Sequence, residues 1–292
     1  MPDINEIKYF INKMKKLKVL VIGETIIDVY QYGTTLGKVG KFPIVAFKNE
    51  KSEEFQGGVL AIKNHLNDFC NVEVYTDETQ IVKTRYIEEN QKIFETYDER
   101  YVHHGYKGDK PKPNFDNYDI VMVADFGHGF LQKKMIEDIE KKSRYLAINT
   151  QFNAGNMGMN TINKYKTPNY ICIDHNELRL ATSNQWNPIA EIMLHRFINI
   201  DASVTISNEG SYVIVDNEIV HSKPLAKKIV DTVGAGDAYY ALSTLCHYLK
   251  GSPEVIGTFG NAAGAIACSY PGNQGSVDKD RLIEVIKNGH NL

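Results

Sequence analysis

The sequence predicts an α/β chain: a central, mostly parallel sheet flanked by helices, with a small β-sheet lid beside it. Three observations carry this. Short runs apolar on both faces recur through the first two thirds and are separated by helical stretches. Residues 29–56 and 81–104 instead alternate aromatic or β-branched residues with charged ones. The last third holds three consecutive helical patterns.

Taken in order, Ile4, Ile7, Phe10, Ile11 and Met14 make one helical face, and Lys13, Lys15 and Lys16 suit the negative end of the helix dipole. Lys18–Gly23 follows as a buried strand, with comparable runs at 118–124, 145–148, 170–173 and 202–207. Helices are predicted over 131–142 and 188–198, the second with Asn187 as N-cap before a proline at the first helical position. Such alternation implies right-handed crossovers and helices on both faces of the sheet. Lys83 to Glu88 and Lys92 to Tyr97 alternate with period two, so 29–56 and 81–104 are expected to pair as half-exposed antiparallel strands, a lid or dimer contact. Helices over 235–250, 253–269 and 279–287 close the chain, and no repeat or linker divides 1–292 into more than one domain.

The 292 residues suit one large domain, and 33 Lys+Arg against 36 Asp+Glu give a net charge of −3. That balance removes the electrostatic case for a nucleic-acid partner but allows a local basic pocket for a phosphorylated ligand. Cys70, Cys172, Cys246 and Cys268 form no C-x-x-C pair, which argues against a zinc module or a disulfide framework and suits a reducing compartment. The N-terminus is charged from Asp3 and Glu6 onward, and no run approaches the ~18 apolar residues of a membrane span, so the expected address is cytoplasmic.

The segment Asp231-Thr-Val-Gly-Ala-Gly-Asp237 enters an apolar helix. A glycine-rich turn at a helix N-terminus exposes unpaired N–H groups at the positive end of the dipole, a ready anion site. Asp237 in the first turn is placed to take a proton from a hydroxyl attacking a phosphorus held there. A plain tight turn with a capping acid fits the same spacing, and spacing alone leaves both open. A dinucleotide fingerprint fails because Tyr239 stands where its third glycine belongs. A P-loop fails because Gly33 and Gly37 are one residue too close and Val39 replaces Ser or Thr.

The string from Asp231 to Ala241 resembles the signature of the PfkB/ribokinase family of carbohydrate kinases. Gly23-Glu24 with Asp28 is similar to that family's first-strand motif, Gly57-Gly58 to its glycine pair, and Asn261 to Ile266 with Gly275-Ser276 to its nucleotide region. Residues 19–33, 43–47 and 84–94 (VLVIGETIIDVYQYG, PIVAF and TRYIEENQKIF) most resemble heptose 7-phosphate kinases, as in the kinase half of bifunctional heptose kinase/nucleotidyltransferases. The resemblance implies a ribokinase-like fold, ATP and Mg²⁺ as cofactors, and a sugar or sugar phosphate as acceptor.

It implies roles too. Asp237 would be general base, and Gly234, Ala235 and Gly236 would shape an anion hole of the 235–237 amides. Asp28, Gly57 and Gly58 would hold sugar hydroxyls. Asp174 and Glu177 would organise Mg²⁺. Ser207, Asn208, Gly210, Thr232, Asn261 and Gly275 would meet nucleotide, and Asp125 and His128 would line the acceptor side. Positioning and charge stabilisation of this kind are most of what phosphoryl transfer asks of a protein. Several positions depart from the pattern: Glu24 for Asp, Asp174 for Asn, Val59 to Ala61 lacking an Asn, His128 for Lys, and Asn149 to Gln151 for an Asp-Pro pair. The His128 exchange removes a fixed positive charge at neutral pH.

Arg85, Lys83, and Lys38 or Lys41 are placed to meet a phosphate already on the sugar, or to form a solvated strand face. His103 and His104 with Asp109 are weak metal candidates, since adjacent strand residues point to opposite sides. Trp186, Tyr239 and Tyr240 are read as core or boundary packing. The expectation is an ATP- and Mg²⁺-dependent kinase, homodimeric through its lid. Its rivals are a kinase for an unphosphorylated sugar or nucleoside, a silent ligand-binding relative, and a lyase using the anion site alone. No H-x-G-H motif occurs, so no nucleotidyltransferase half is expected within these residues.

Overall fold

Successive residues of β1 (Lys18–Gly23) enter different cores: Val19 and Val21 join one cluster, Leu20 and Ile22 the other. A strand buried on both faces belongs inside a sheet covered on both sides, and β1 lies there in the computed structural model, which describes residues 2–38, 40, 44–76, 80–98 and 112–289. Lys41, His103, His104, Asp109 and positions 99–104 of the expected lid lie outside the described residues.

The main sheet has eight strands. β4 (Asn71–Tyr75), β1, β7 (Ile120–Asp125), β8 (Leu146–Thr150), β9 (Tyr170–Asp174) and β10 (Asp201–Thr205) run parallel in that spatial order. An antiparallel hairpin, β11 (Ser211–Val215) and β12 (Glu218–Ser222), extends the β10 edge. Its turn is made by Asp216 and Asn217, both at positive φ, residue types that tolerate the left-handed region a tight hairpin requires.

One face is covered by α1 (Ile4–Met14), α2 (Val59–Leu66), α6 (Ala235–Tyr248), α7 (Pro253–Ala267) and α8 (Lys279–Gly289). The other carries α3 (Lys133–Lys142), α4 (His175–Thr182) and α5 (Ile189–Arg196). Two expectations change. Pro188 itself flanks α5 as its N-cap, and the Asn187 amide instead donates to Glu191 at 3.1 Å. Trp186 does not pack: it is 90% exposed, whereas Tyr239 and Tyr240 are buried as read.

A second sheet stands apart as the lid, in the order β3 (Val45–Gly58), β2 (Thr25–Lys38), β5 (Gln80–Glu88) and β6 (Gln91–Asp98). The expected segments do pair, but the strands begin at Thr25 and reach Gly58, and β2 with β5 is parallel rather than antiparallel. Because β1 ends at Gly23 and β2 starts at Thr25, the lid grows directly from the end of a central strand.

Candidate active site

The turn into α6 depends on Gly234. Its φ of +81° is one L side chains avoid, and a Cβ there would stand 2.0 Å from Asn273 Oδ1. The Ala235 N–H closes the turn onto the Thr232 carbonyl at 3.3 Å. Among the described residues the Gly236 and Asp237 N–H groups have no backbone acceptor. Of the three amides expected to form an anion site, one is thus engaged in the turn and two are open among the described residues. Asp237 follows in the first turn, 7% exposed, with Gln151 Nε2 donating to its Oδ1 at 2.8 Å. Burial, and then the charge of Asp28, push its carboxyl up to about 7, against the pull of Gln151 and Lys83.

Asp28 comes from β2 and is paired with the Arg85 guanidinium of β5, which also reaches Glu95 at 3.6 Å. A Cβ on Gly57 would meet Asp28 Oδ2 at 2.7 Å, so only glycine lets β3 pass this carboxylate. The Asn273 amide approaches the same oxygen at 3.4 Å.

Two cavities meet at the α6 N-terminus. The first, about 270 Å³, is walled by Asp28, Gly58, Lys83 and Arg85 on the lid side and by Gln151, Gly234 and Asp237 opposite. The second, about 520 Å³, is walled by Ser207, Asn208, Gly210, Leu225, Ala235 and Asn261. Asp174, Thr205, Thr232 and Gly236 belong to both. Asn261 shapes its wall indirectly, since its amide donates to the Ser222 and Lys223 carbonyls at 3.0 Å.

Asp174 caps α4, accepting from Glu177 N at 2.8 Å, while Glu177 accepts from Asp174 N at 2.7 Å and Phe152 N at 2.9 Å. Burial, and then the Asp174 charge, raise the Glu177 carboxyl to about 8. A cation beside this pair would relieve that repulsion, so its chemistry fits Mg²⁺, although no group of three or more metal-ligating side chains gathers among the described residues.

Four candidates lie outside these walls, the first being Gly57, which sits behind Asp28. The Asp125 carboxylate turns to Tyr165 OH and Lys164 Nζ, each at 2.5 Å. His128 is buried, its ring 6.4 Å from that of Tyr97; burial, and then the Lys83 charge, lower it to about 4, so it is neutral at pH 7. Gly275 lies under the Tyr270 ring, where a Cβ would come within 2.2 Å.

Other contacts carry little sequence signal. Glu24, buried and raised to about 7 by burial and then by Asp125, accepts from the N–H groups of Phe126 (3.0 Å), His128 (3.2 Å) and Phe130 (3.3 Å), fixing the loop after β7. Asn156 and Asn160 donate to the Gln151 carbonyl at 2.7 and 3.4 Å and so hold the residue that bonds Asp237. The spacing of Asn153, Asn156 and Asn160 was the available clue. Asp231 is gripped by Tyr30 OH, by Lys92 Nζ at 2.6 Å and by Gly272 N at 2.9 Å. Although burial pushes its carboxyl up, these bonds hold it down at about 2. Tyr30 and Lys92 belong to the lid, so the lid is tied to the strap that leads into α6.

A profile of the pfkB family carbohydrate kinases matches residues 64–280. The chain belongs to the pfkB family of carbohydrate kinases. Its curated relatives include the bifunctional protein HldE of Helicobacter pylori strain Shi470, 23% identical over 303 residues, and that of Campylobacter curvus strain 525.92, 23% identical over 279. The alignments cover 88% and 82% of this chain, which spans 64% and 58% of those proteins' lengths. Solved structures share the fold. Thermotoga maritima ribokinase superposes with a TM-score of 0.74 at 14% identity, covering 93% of this chain and all of that one. Arabidopsis thaliana ribokinase, solved with ribose and ATP, superposes at 0.70 with 13% identity, covering 93% and 99%. The pfkB-family assignment and the ribokinase-like fold thus agree with the resemblance read from residues 231–241. Among the described residues no helix is long and apolar enough to cross a membrane.

Proposed function

We propose that this carbohydrate kinase transfers the terminal phosphoryl group of ATP to a hydroxyl of a phosphorylated sugar, with a heptose 7-phosphate as favoured acceptor. The observation that carries this is Asp237, a buried carboxylate in the first turn of α6 where the two cavities meet. The first cavity holds the acceptor, and the second, with its more apolar wall, the nucleotide. Asp237 takes the hydroxyl proton as that oxygen bonds to the γ-phosphorus and the bond to the β-phosphate oxygen breaks, releasing ADP. The Gly236 and Asp237 N–H groups face the transferred phosphoryl. Asp28 and the Gly57-Gly58 backbone hold acceptor hydroxyls. Asp174 and Glu177 would hold Mg²⁺, which supplies charge neutralisation on the phosphates.

The heptose assignment is supported by the lid motifs and by the bifunctional relatives, and implies a supply of nucleotide-sugar precursors for surface glycan, in the cytoplasm. Phe47, Tyr86 and Phe94 form an aromatic group on the lid, with Tyr86 and Phe94 stacked at 4.2 Å, and this group supports homodimerisation there. A monomeric mass in solution would count against the dimer.

The test is ADP release over a panel of heptose phosphates, hexose phosphates, free sugars and nucleosides. One phosphorylated acceptor should stand out, and Asp237→Asn should lower its turnover by about 10²–10⁴-fold while ATP still binds. Equal turnover by that variant would remove Asp237 as base, and turnover of a free sugar or nucleoside alone would favour the rival acceptor class.

A further inference from the structure

Lys83 and Arg85 are two residues apart on β5 and so share one face of the strand, which forms the lid wall of the first cavity. Their charges have different fates. Arg85 is spent on Asp28 and Glu95. Lys83 is 6% exposed and makes no ion pair among the described residues; its one contact of this kind is the Tyr97 ring, 5.2 Å from the ammonium to the ring centre. The acids about it are engaged elsewhere: Asp28 with Arg85 and Asn273, Glu95 with Arg85 and Tyr97, and Asp237 with Gln151. Asp174 and Glu177 also line the first cavity, where each accepts a hydrogen bond from the other's backbone N–H at the start of α4. His128, the remaining titratable neighbour, adds no negative charge. A lysine taken out of water without a partner is costly unless a ligand brings the counter-charge. Burial lowers the Lys83 pKa, while the charges of Asp28, Glu95 and Asp237 act to raise it.

We infer that Lys83 is the specificity-determining residue for an anionic acceptor, its ammonium binding a phosphate or carboxylate already carried by the sugar. The inference rests on the first cavity being the acceptor site. It separates Lys83 from Arg85, the cation the sequence favours for the acceptor: Arg85 orders Asp28, and Lys83 meets the ligand.

Binding can be measured by calorimetry without ATP, using sedoheptulose 7-phosphate, glucose 6-phosphate, glucuronate and glucose on the wild-type protein, Lys83→Met and Lys83→Arg. At least one anionic probe should bind the wild type tenfold or more tighter than glucose. Lys83→Met should lose that margin, Lys83→Arg should recover part of it, and ATP affinity should be unchanged in all three. Binding of sugar phosphates alone identifies a phosphate, and of glucuronate alone a carboxylate. Glucose binding as tightly as every anionic probe, no probe binding, or Lys83→Met retaining the margin would each overturn the inference. The wild-type ranking decides even if Lys83→Met does not fold. Should anionic probes bind through Lys83 while no acceptor releases ADP, the kinase reading falls and the anion site stands.

Discussion

The α6 N-terminus and the lid sheet face each other across one cavity, yet they are built differently. The first is backbone: a left-handed glycine, two open N–H groups and a carboxylate, all within Gly234 to Asp237. The second is side-chain charge gathered from far apart, with Asp28 meeting Arg85 across 57 positions and Asp231 meeting Lys92 across 139. Where a site is one contiguous turn, its chemistry is fixed by local conformation. Where strands assemble it, each charge takes its role from the partner it finds, and neighbours such as Lys83 and Arg85 diverge. On the proposed function, reaction type belongs to the first wall and acceptor choice to the second.

That division can be broken experimentally. The largest effect is expected on the backbone wall, where Asp237→Asn should lower kcat by about 10²–10⁴-fold, the usual worth of a positioned base, with little change in acceptor KM. A raised KM at near-normal kcat would move Asp237 to a binding role.

Next in size is Gln151→Leu. Asp237 must be ionised to act, and its carboxyl sits at about 7, so kcat/KM should climb as pH rises through that value. Removing the Gln151 donor destabilises the carboxylate and raises the pKa, so the acid limb should move to higher pH. Activity at pH 7 should fall by about tenfold, as expected for one hydrogen bond to a charged group, and return by about pH 9. An unshifted limb in a pH–rate profile would mean that Gln151 only fills space.

The smallest effect belongs to the lid tie. Lys92 is 37% exposed at its side chain, so Lys92→Met should cost no more than about 1 kcal/mol of stability. Its loss lets the Asp231 carboxyl rise from about 2 toward its ordinary value, so the variant's deficit should be full at pH 7 and shrink as pH falls below that ordinary value toward 2. Thermal melts of variant and wild type at pH 7 and about pH 3 check this. A large loss of kcat in the same variant would show that the tie transmits lid position to α6, and the two walls would no longer be separable.

Much of this architecture was legible in sequence because local patterning decides it. Runs apolar on both faces marked parallel strands, period-two alternation marked the lid, and Gly234 to Asp237 marked a glycine turn with an acid in the first helical turn. Where local preference was weak, the reading slipped. The short hairpin after β10 and the short helices α2 and α4 lack a strong apolar period, and Trp186, apolar in kind, stays exposed. Asp125 and His128 sit at the motif's positions, yet Tyr165 and Lys164 draw the first carboxylate inward and burial leaves the second uncharged.

The strands, the glycine turn and the acid that follows it are set locally, since each depends on residues adjacent in the chain. Long-range packing decides which cation has no ion pair among the described residues, which asparagines hold Gln151 against Asp237, and which of the three amides remain open. Those outcomes depend on burial and on partners brought together by strand register, and neither is a property of any single stretch of sequence.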